Sequence, residues 1–166
     1  GTMIDYQGSA TLLKTDEDKT PLAGAIFKVI DETGATVAEN LASNEAGLVT
    51  VDGLAPGQYS FVETHAPTGY LINDQAISFE IATSAIEVPA VVDAGTMIDY
   101  QGSATLLKTD EDDRPLAGGS FEVAAETGAT VAEDLASQEA GLGTADGLAP
   151  GQDSLVESLA PTGSSI

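Results

Sequence analysis

Two ionisable residues stand where the surrounding pattern calls for apolar ones. In the stretch SATLLK, Ala10, Leu12 and Lys14 fall on alternate residues and so share one face of a β-strand. In QYSFVET, Tyr59, Phe61 and Glu63 do the same. A face carrying a leucine and a face carrying two aromatics are core faces, so a lysine and a glutamate point into one interior from two strands. Burial favours the neutral forms, lowering a lysine's pKa and raising a glutamate's. A neutral amine is a nucleophile, and a protonated carboxylic acid can polarise a carbonyl and carry protons. If an Asp or Asn presents its side-chain carbonyl to the lysine, amide formation becomes feasible. The plainer reading is a satisfied buried salt bridge, or a lysine whose head reaches solvent. A buried ion pair is a weak stabiliser, because desolvation costs several kcal/mol per ion.

The elements that must position this pair are short strands. AGAIFKVID alternates Ala25, Phe27 and Val29 against Ile26, Lys28 and Ile30. ATVAEN, LVTVDGL, QYSFVET and AISFEIA follow, and AIEVPAVVDA closes the series. Turn residues (ETG, NEAG, APG) separate them, and no long 3.6-residue period appears, which describes an all-β sandwich. ENLAS could hold one helical turn.

The chain is a tandem repeat. Residues 1–72 align with 95–166 without a gap, and about three quarters of the aligned positions are identical. GTM at residues 1–3 resembles a cloning scar, yet GTMIDYQGSATLLKTDED recurs at 95–112, so it belongs to the repeat. Two domains are expected: 1–94, complete, and 95–166, truncated before its last strands. The second copy carries Ser120 for Ile26, Ala124 for Ile30, Gly143 for Val49, Ala145 for Val51, Asp153 for Tyr59, Leu155 for Phe61 and Ser164 for Tyr70. Losses of core bulk cost ~2–5 kcal/mol each against a domain stability of ~5–15 kcal/mol. The second copy is expected to be a decayed repeat, to be stabilised by something outside this chain, or to have a sequence recorded imperfectly.

Composition narrows the function. In 166 residues, Lys and Arg total 5 against 27 Asp and Glu, a net charge of -22. Such a chain repels phosphate backbones and anionic lipid, so nucleic acid and membrane surfaces are poor partners. Hydrophobic residues make up 42%, enough for a core, but aromatics only 5%, so Val, Ile, Leu and Ala must fill it. No cysteine is present, which excludes disulfides, thiolate metal sites and cysteine nucleophiles. No apolar run approaches the ~18 residues of a membrane-spanning helix, and no signal peptide is recognisable, which suits a mature fragment or a cytosolic chain.

The stretches ATLLKTDEDKTPLAGAIFKVID and GLVTVDGLAPGQYSFVETHAPTGYLI resemble the B-type, CnaB-like repeats of Gram-positive surface adhesins and pilins. The shared signature is a strand ending K-x-D, then P-L-A-G-A-x-F, G-L-x-P-G-x-Y and E-x-x-A-P-x-G-Y, all within residues 12–70. The resemblance implies tandem prealbumin-like, Ig-like β-sandwiches. It also implies an intramolecular isopeptide bond from Lys14 to an Asn or Asp in the last strand, assisted by Glu63. Asp93, near the end of VPAVVDAG, is the expected acceptor; Asn73 and Asp99 are the alternatives. In the second copy Lys108 and Glu157 are kept, but the acceptor is absent from this chain, so bond formation there is a separate question. A Lys14–Asp93 bond would close a loop of roughly 80 residues, worth about 4.5 kcal/mol in the chain-entropy model.

Other candidates fall away. His65, the only histidine, has no partner for a metal, and no nucleophile motif accompanies it. TDEDKTP and TDEDDRP lack the glycine and glutamate of an EF-hand and read as solvated acidic turns. LAPTG at 159–163 lacks the second-position proline of a sortase signal. No cofactor, metal or external-substrate chemistry is expected. The resemblance implies an extracellular, cell-wall-attached parent protein in which this chain is a protease-resistant stalk, with neighbouring repeats as partners. The alternatives are a module binding a host matrix protein or glycan, and a fibre subunit assembling by strand complementation.

Overall fold

The computed structural model describes residues 1–83 and 91–166. Among them are twelve strands and no helix. They fall into two compact units, Gly1–Tyr100 and Gln101–Ile166.

Unit 1 is a sandwich of two sheets. One has β4 (Leu48–Leu54), β1 (Gly8–Thr15) and β7 (Val91–Ile98) in that order; the other has β3 (Thr36–Ala42), β2 (Ile26–Asp31), β5 (Gly57–His65) and β6 (Ile77–Ile81). Period-2 alternation decides which side chains go inside. Ala10 and Leu12 of β1, Val49 and Val51 of β4, Phe27 and Val29 of β2, and Tyr59 and Phe61 of β5 are all buried. The aromatics interlock: Phe61 packs edge-on to Phe27 at 6.3 Å and against Phe79 at 5.0 Å, and Tyr59 stacks on Phe79 at 5.7 Å. ENLAS is not helical. It lies in and just after β3, where Asn40 takes a φ of 57° between register shifts against β2.

The last strand of unit 1 departs from simple alternation. β1 and β7 run parallel, with Ala10 opposite Val92 and Thr11 opposite Asp93, but Leu13 opposite Thr96. β7 therefore takes one more residue than β1 over this span, a bulge at Ala94 and Gly95. Gly95 adopts a φ of 110°, a conformation glycine alone reaches without strain. The carboxylate of Asp93 accepts the Gly95 N–H at 2.9 Å and braces the bulge. Before it, Val92 and Ala94 pack on the core; beyond it, Met97 and Asp99 are the buried residues. β7 crosses the 94/95 repeat boundary, so GTMI (95–98) completes unit 1 rather than opening the second domain. Residues 84–90, the start of the expected strand AIEVPAVVDA, lie outside the described residues.

Unit 2 repeats five of these strands. β8 (Gly102–Leu107) pairs with β11 (Leu142–Leu148), and β9 (Ser120–Ala125) lies between β10 (Thr130–Ala136) and β12 (Asp153–Leu159). Of its seven bulk-reducing substitutions, those for Val49, Val51, Tyr59 and Phe61 replace buried residues of unit 1. Ile26 and Ile30 are only half-buried on the outer face of β2, so Ser120 and Ala124 matter less than their residue types suggest. Among the described residues, thirteen buried apolar side chains cluster in the core of unit 1; in unit 2 Phe121, Val123, Ala145 and Leu148 are buried, and only the last three cluster.

This difference sets an expected order of unfolding. In dilute solution, calorimetry should resolve two transitions with unit 2 the lower. Amides of β8–β12 should exchange roughly tenfold or more faster than those of β1, β2 and β5, since a tenfold ratio needs only about 1.4 kcal/mol. A single transition with uniform protection would contradict this account.

Candidate functional site

Lys14 is fixed first through its backbone. Its N–H donates to the Gly47 carbonyl at 2.7 Å, and its own carbonyl accepts the Leu22 N–H at 2.9 Å. Gly47, at the end of the NEAG turn, has a φ of 74°, and a Cβ there would collide with the Lys14 carbonyl and Pro21. Only glycine lets this turn press against the lysine. With the backbone held, alternation along β1 sends the side chain inward after Ala10 and Leu12, where it is fully buried.

Glu63 comes from the opposite sheet, two residues beyond Phe61 and paired across β2 with Phe27. Its Oε1 lies 3.4 Å from Lys14 Nζ. Its Oε2 accepts the Asn73 N–H at 2.8 Å, while Asn73 Nδ2 donates to the Ile98 carbonyl at 2.9 Å. Asn73 thus links the glutamate to the end of β7. Asp99 follows that end, with its N–H on the Thr15 carbonyl at 3.0 Å and its Oδ1 in contact with Lys14 Nζ. All three side chains are shut off from solvent.

The electrostatics are those of an incompletely satisfied interior. Neither contact of Lys14 Nζ has hydrogen-bonding alignment, and both Asp99 carboxylate oxygens also lack a hydrogen-bond donor among the described residues. Such a cluster costs free energy if left as separated charges. Burial pushes the Glu63 carboxyl up to about 7; the Asn73 N–H opposes this, neighbouring Asp99 adds to it, and the charge of Lys14 opposes it. At neutral pH a substantial share of Glu63 carries a proton, so one site holds a lysine, a carboxyl in contact with it and a second carboxyl that titrates near neutrality.

The sequence candidates sort clearly. Lys14 and Glu63 meet as their alternation predicts. Asp93 does not join them: it is exposed, sits opposite Thr11 and makes no ion pair with Lys14. The bulge at Ala94–Gly95 is the reason, because it puts Met97 and Asp99 on the inner face. Asn73 uses its side chain on the Ile98 carbonyl, and its contribution, missed in the sequence, is to orient Glu63. In unit 2, Lys108 Nζ lies 3.0 Å from Glu157 Oε1 and donates to Oε2 at 3.2 Å. Those side chains remain 22% and 13% exposed, and no carboxylate of the described residues stands where Asp99 does. His65 is exposed at the end of β5. Asp16 spends its carboxylate on the N–H groups of Asp18 and Thr20, so the acidic turn is closed on itself.

The comparisons with known proteins agree with this architecture. The family model of the SpaA prealbumin-like fold domain matches residues 8–94 and again 102–166. The chain belongs to this family. No curated protein sequence matches it. Among solved structures, the Bacillus anthracis TIE protein superposes with a TM-score of 0.57 at 25% identity, over 96% of this chain and 29% of that one. The chain thus spans less than a third of that protein. BcpA, the major pilin subunit of Bacillus cereus, superposes with a TM-score of 0.53 at 13% identity, over 93% of this chain and 89% of that one, a likeness of fold. As SpaA-type prealbumin-like domains, the two units share the sandwich. No helix among the described residues is long and apolar enough to cross a membrane.

The raised pKa of Glu63 gives a sign for pH dependence before any bond forms. The folded value, about 7, lies above the ordinary 4.5, so folding takes up a proton between those values. The contribution of this group is fully present below about pH 4.5 and is lost as pH rises through about 7. A Lys14→Arg variant keeps the cation and blocks the amide. Its Tm is expected to fall between pH 5 and pH 8 more steeply than that of Lys14→Arg/Glu63→Gln; parallel profiles would contradict the assignment.

Proposed function

We propose that unit 1 is a self-cross-linking structural repeat of an extracellular Gram-positive surface protein, a stalk or pilus-shaft element rather than an enzyme. The observation that carries this reading is the Asp99 carboxyl in contact with Lys14 Nζ, beside Glu63 and out of solvent. The Lys14 amine, once deprotonated, attacks the Asp99 carboxyl carbon. The C–N bond forms, a C–O bond breaks, and Glu63 relays the amine's proton to the departing hydroxyl, which leaves as water. The amide replaces two buried charges by one neutral group. It also closes a loop of roughly 85 residues, worth about 4.6 kcal/mol in the chain-entropy model, and unlike a disulfide it cannot be reduced. The motif resemblance and the family assignment support the same reading.

Intact mass under denaturing conditions tests it. The chain is expected to be lighter than its sequence mass by one water. Asp99→Ala and Glu63→Gln should return the full sequence mass, whereas Asp93→Ala should keep the loss of water, because Asp93 only braces the bulge. Deleting Ala94 should also keep the loss of water, because it removes the one extra residue and plain alternation from Asp93 still places Met97 and Asp99 inward. An unchanged mass in the parent chain would leave Lys14, Glu63 and Asp99 as an ion cluster and remove the staple.

A further inference from the structure

Residues 71–76 lead into β6 without regular structure, and all of them are exposed except Asn73, which is half-buried. A polar side chain turned inward among exposed neighbours needs partners, and Asn73 has them on three sides. Its N–H donates to Glu63 Oε2 at 2.8 Å, its Nδ2 donates to the Ile98 carbonyl at 2.9 Å, and its Oδ1 accepts the Gln75 N–H at 3.0 Å. The last contact fixes the amide's orientation, so that its donor end faces β7.

The same segment grips the far side of Asp99. The Leu71 N–H donates to the Tyr100 carbonyl at 2.9 Å. The residues before and after Asp99 are therefore both tied to residues 71–73, while the Asp99 N–H is tied to the Thr15 carbonyl at 3.0 Å. One short segment holds the two carboxyls that meet Lys14, Glu63 through a backbone N–H and Asp99 through its neighbours. Asn73 takes part in both contacts.

We propose that Asn73 is a positioning residue for the amide-forming step: its side chain registers the arrival of β7 at Ile98, and its N–H then sets Glu63 against Lys14 and Asp99. The inference rests on the reading given for unit 1 and adds a condition to it. Until β7 is seated on β1, Asn73 Nδ2 lacks the Ile98 carbonyl and nothing holds the N–H at Glu63. The glutamate is thus aligned only when Asp99 is in place. Asn73 forms no covalent bond and carries no proton; the attack and the loss of water stay with Lys14, Asp99 and Glu63. Its N–H also favours the charged form of Glu63, as does Lys14 from β1, while Asp99 beyond β7 disfavours it.

The test uses the full chain, taken unfolded and at full sequence mass from inclusion bodies. It is diluted from denaturant at several pH values, and the loss of water is followed by intact mass against time. Asn73→Ala should slow that loss roughly tenfold or more, since a misplacement of about 1 Å can cost a hundredfold. It should also move the limb of the pH–rate profile governed by Glu63 upward, because the N–H that favours the carboxylate is no longer held there. Asn73→Asp has the same shape but turns a carboxylate oxygen on the Ile98 carbonyl, and should be slowed at least as much. Leu54→Ala controls for stability alone: it empties a buried position opposite Gly8, at the other end of β1 from Lys14, and should keep the parent's rate and limb. Folding is checked by Tm in the Lys14→Arg background, and rates are compared below every Tm. A parent that loses water, with Asn73→Ala matching its rate, overturns the inference and leaves the reading of unit 1 standing. So does equal slowing in Asn73→Ala and Leu54→Ala with the limb unmoved. A parent that keeps its full sequence mass after folding removes both.

Discussion

The constraint on which unit 1 depends is a lysine with no access to water. Once Lys14 is inside, its charge must be met there, and the surrounding structure is arranged to do so from three directions. Gly47 pins the lysine backbone, β5 delivers Glu63 from the opposite sheet, and the bulge in β7 turns Asp99 inward. Asn73 joins the last two through the Glu63 carboxylate and the Ile98 carbonyl. None of these is a strong stabiliser alone. Together they hold an amine and a carboxyl in contact where solvent cannot intervene, the condition under which proximity substitutes for activation by an external agent.

Much of this was legible in the letters because alternation is a robust signal. Ala10, Leu12 and Lys14 share a face, as do Tyr59, Phe61 and Glu63, and both faces proved buried. The carboxyl that meets Lys14 was less legible, with Asp99 only an alternative to Asp93. Period-2 reasoning assumes one residue per step, and the extra residue at Ala94–Gly95 breaks that assumption four residues before Asp99 matters. The available signal was Gly95 following Asp93, a pairing suited to a braced bulge, together with the recurrence of GTMIDY at a domain edge. The repeat boundary at 94/95 falls inside the strand Val91–Ile98, since a duplication can begin anywhere within a domain.

The two units separate what a reactive pair needs from what a core needs. Lys108 and Glu157 keep their types and meet, yet Gly143 and Ala145 stand where valines stood and Asp153 where a tyrosine did. The pair is partly wet. Keeping the two residue types does not by itself bury the pair; in unit 1 the low dielectric comes from Val49, Val51, Tyr59, Phe61 and Met97.

The parallel pairing of β1 with β7 has a consequence for tension. The chain approaches unit 1 at Gly8, runs along β1 to Lys14, and leaves after Asp99. A covalent link between those two side chains would carry force straight from one to the other, leaving residues 15–98 as a slack loop outside the loaded path. The turns and strands in that loop could then lengthen or vary in sequence without altering how far the unit extends under pull.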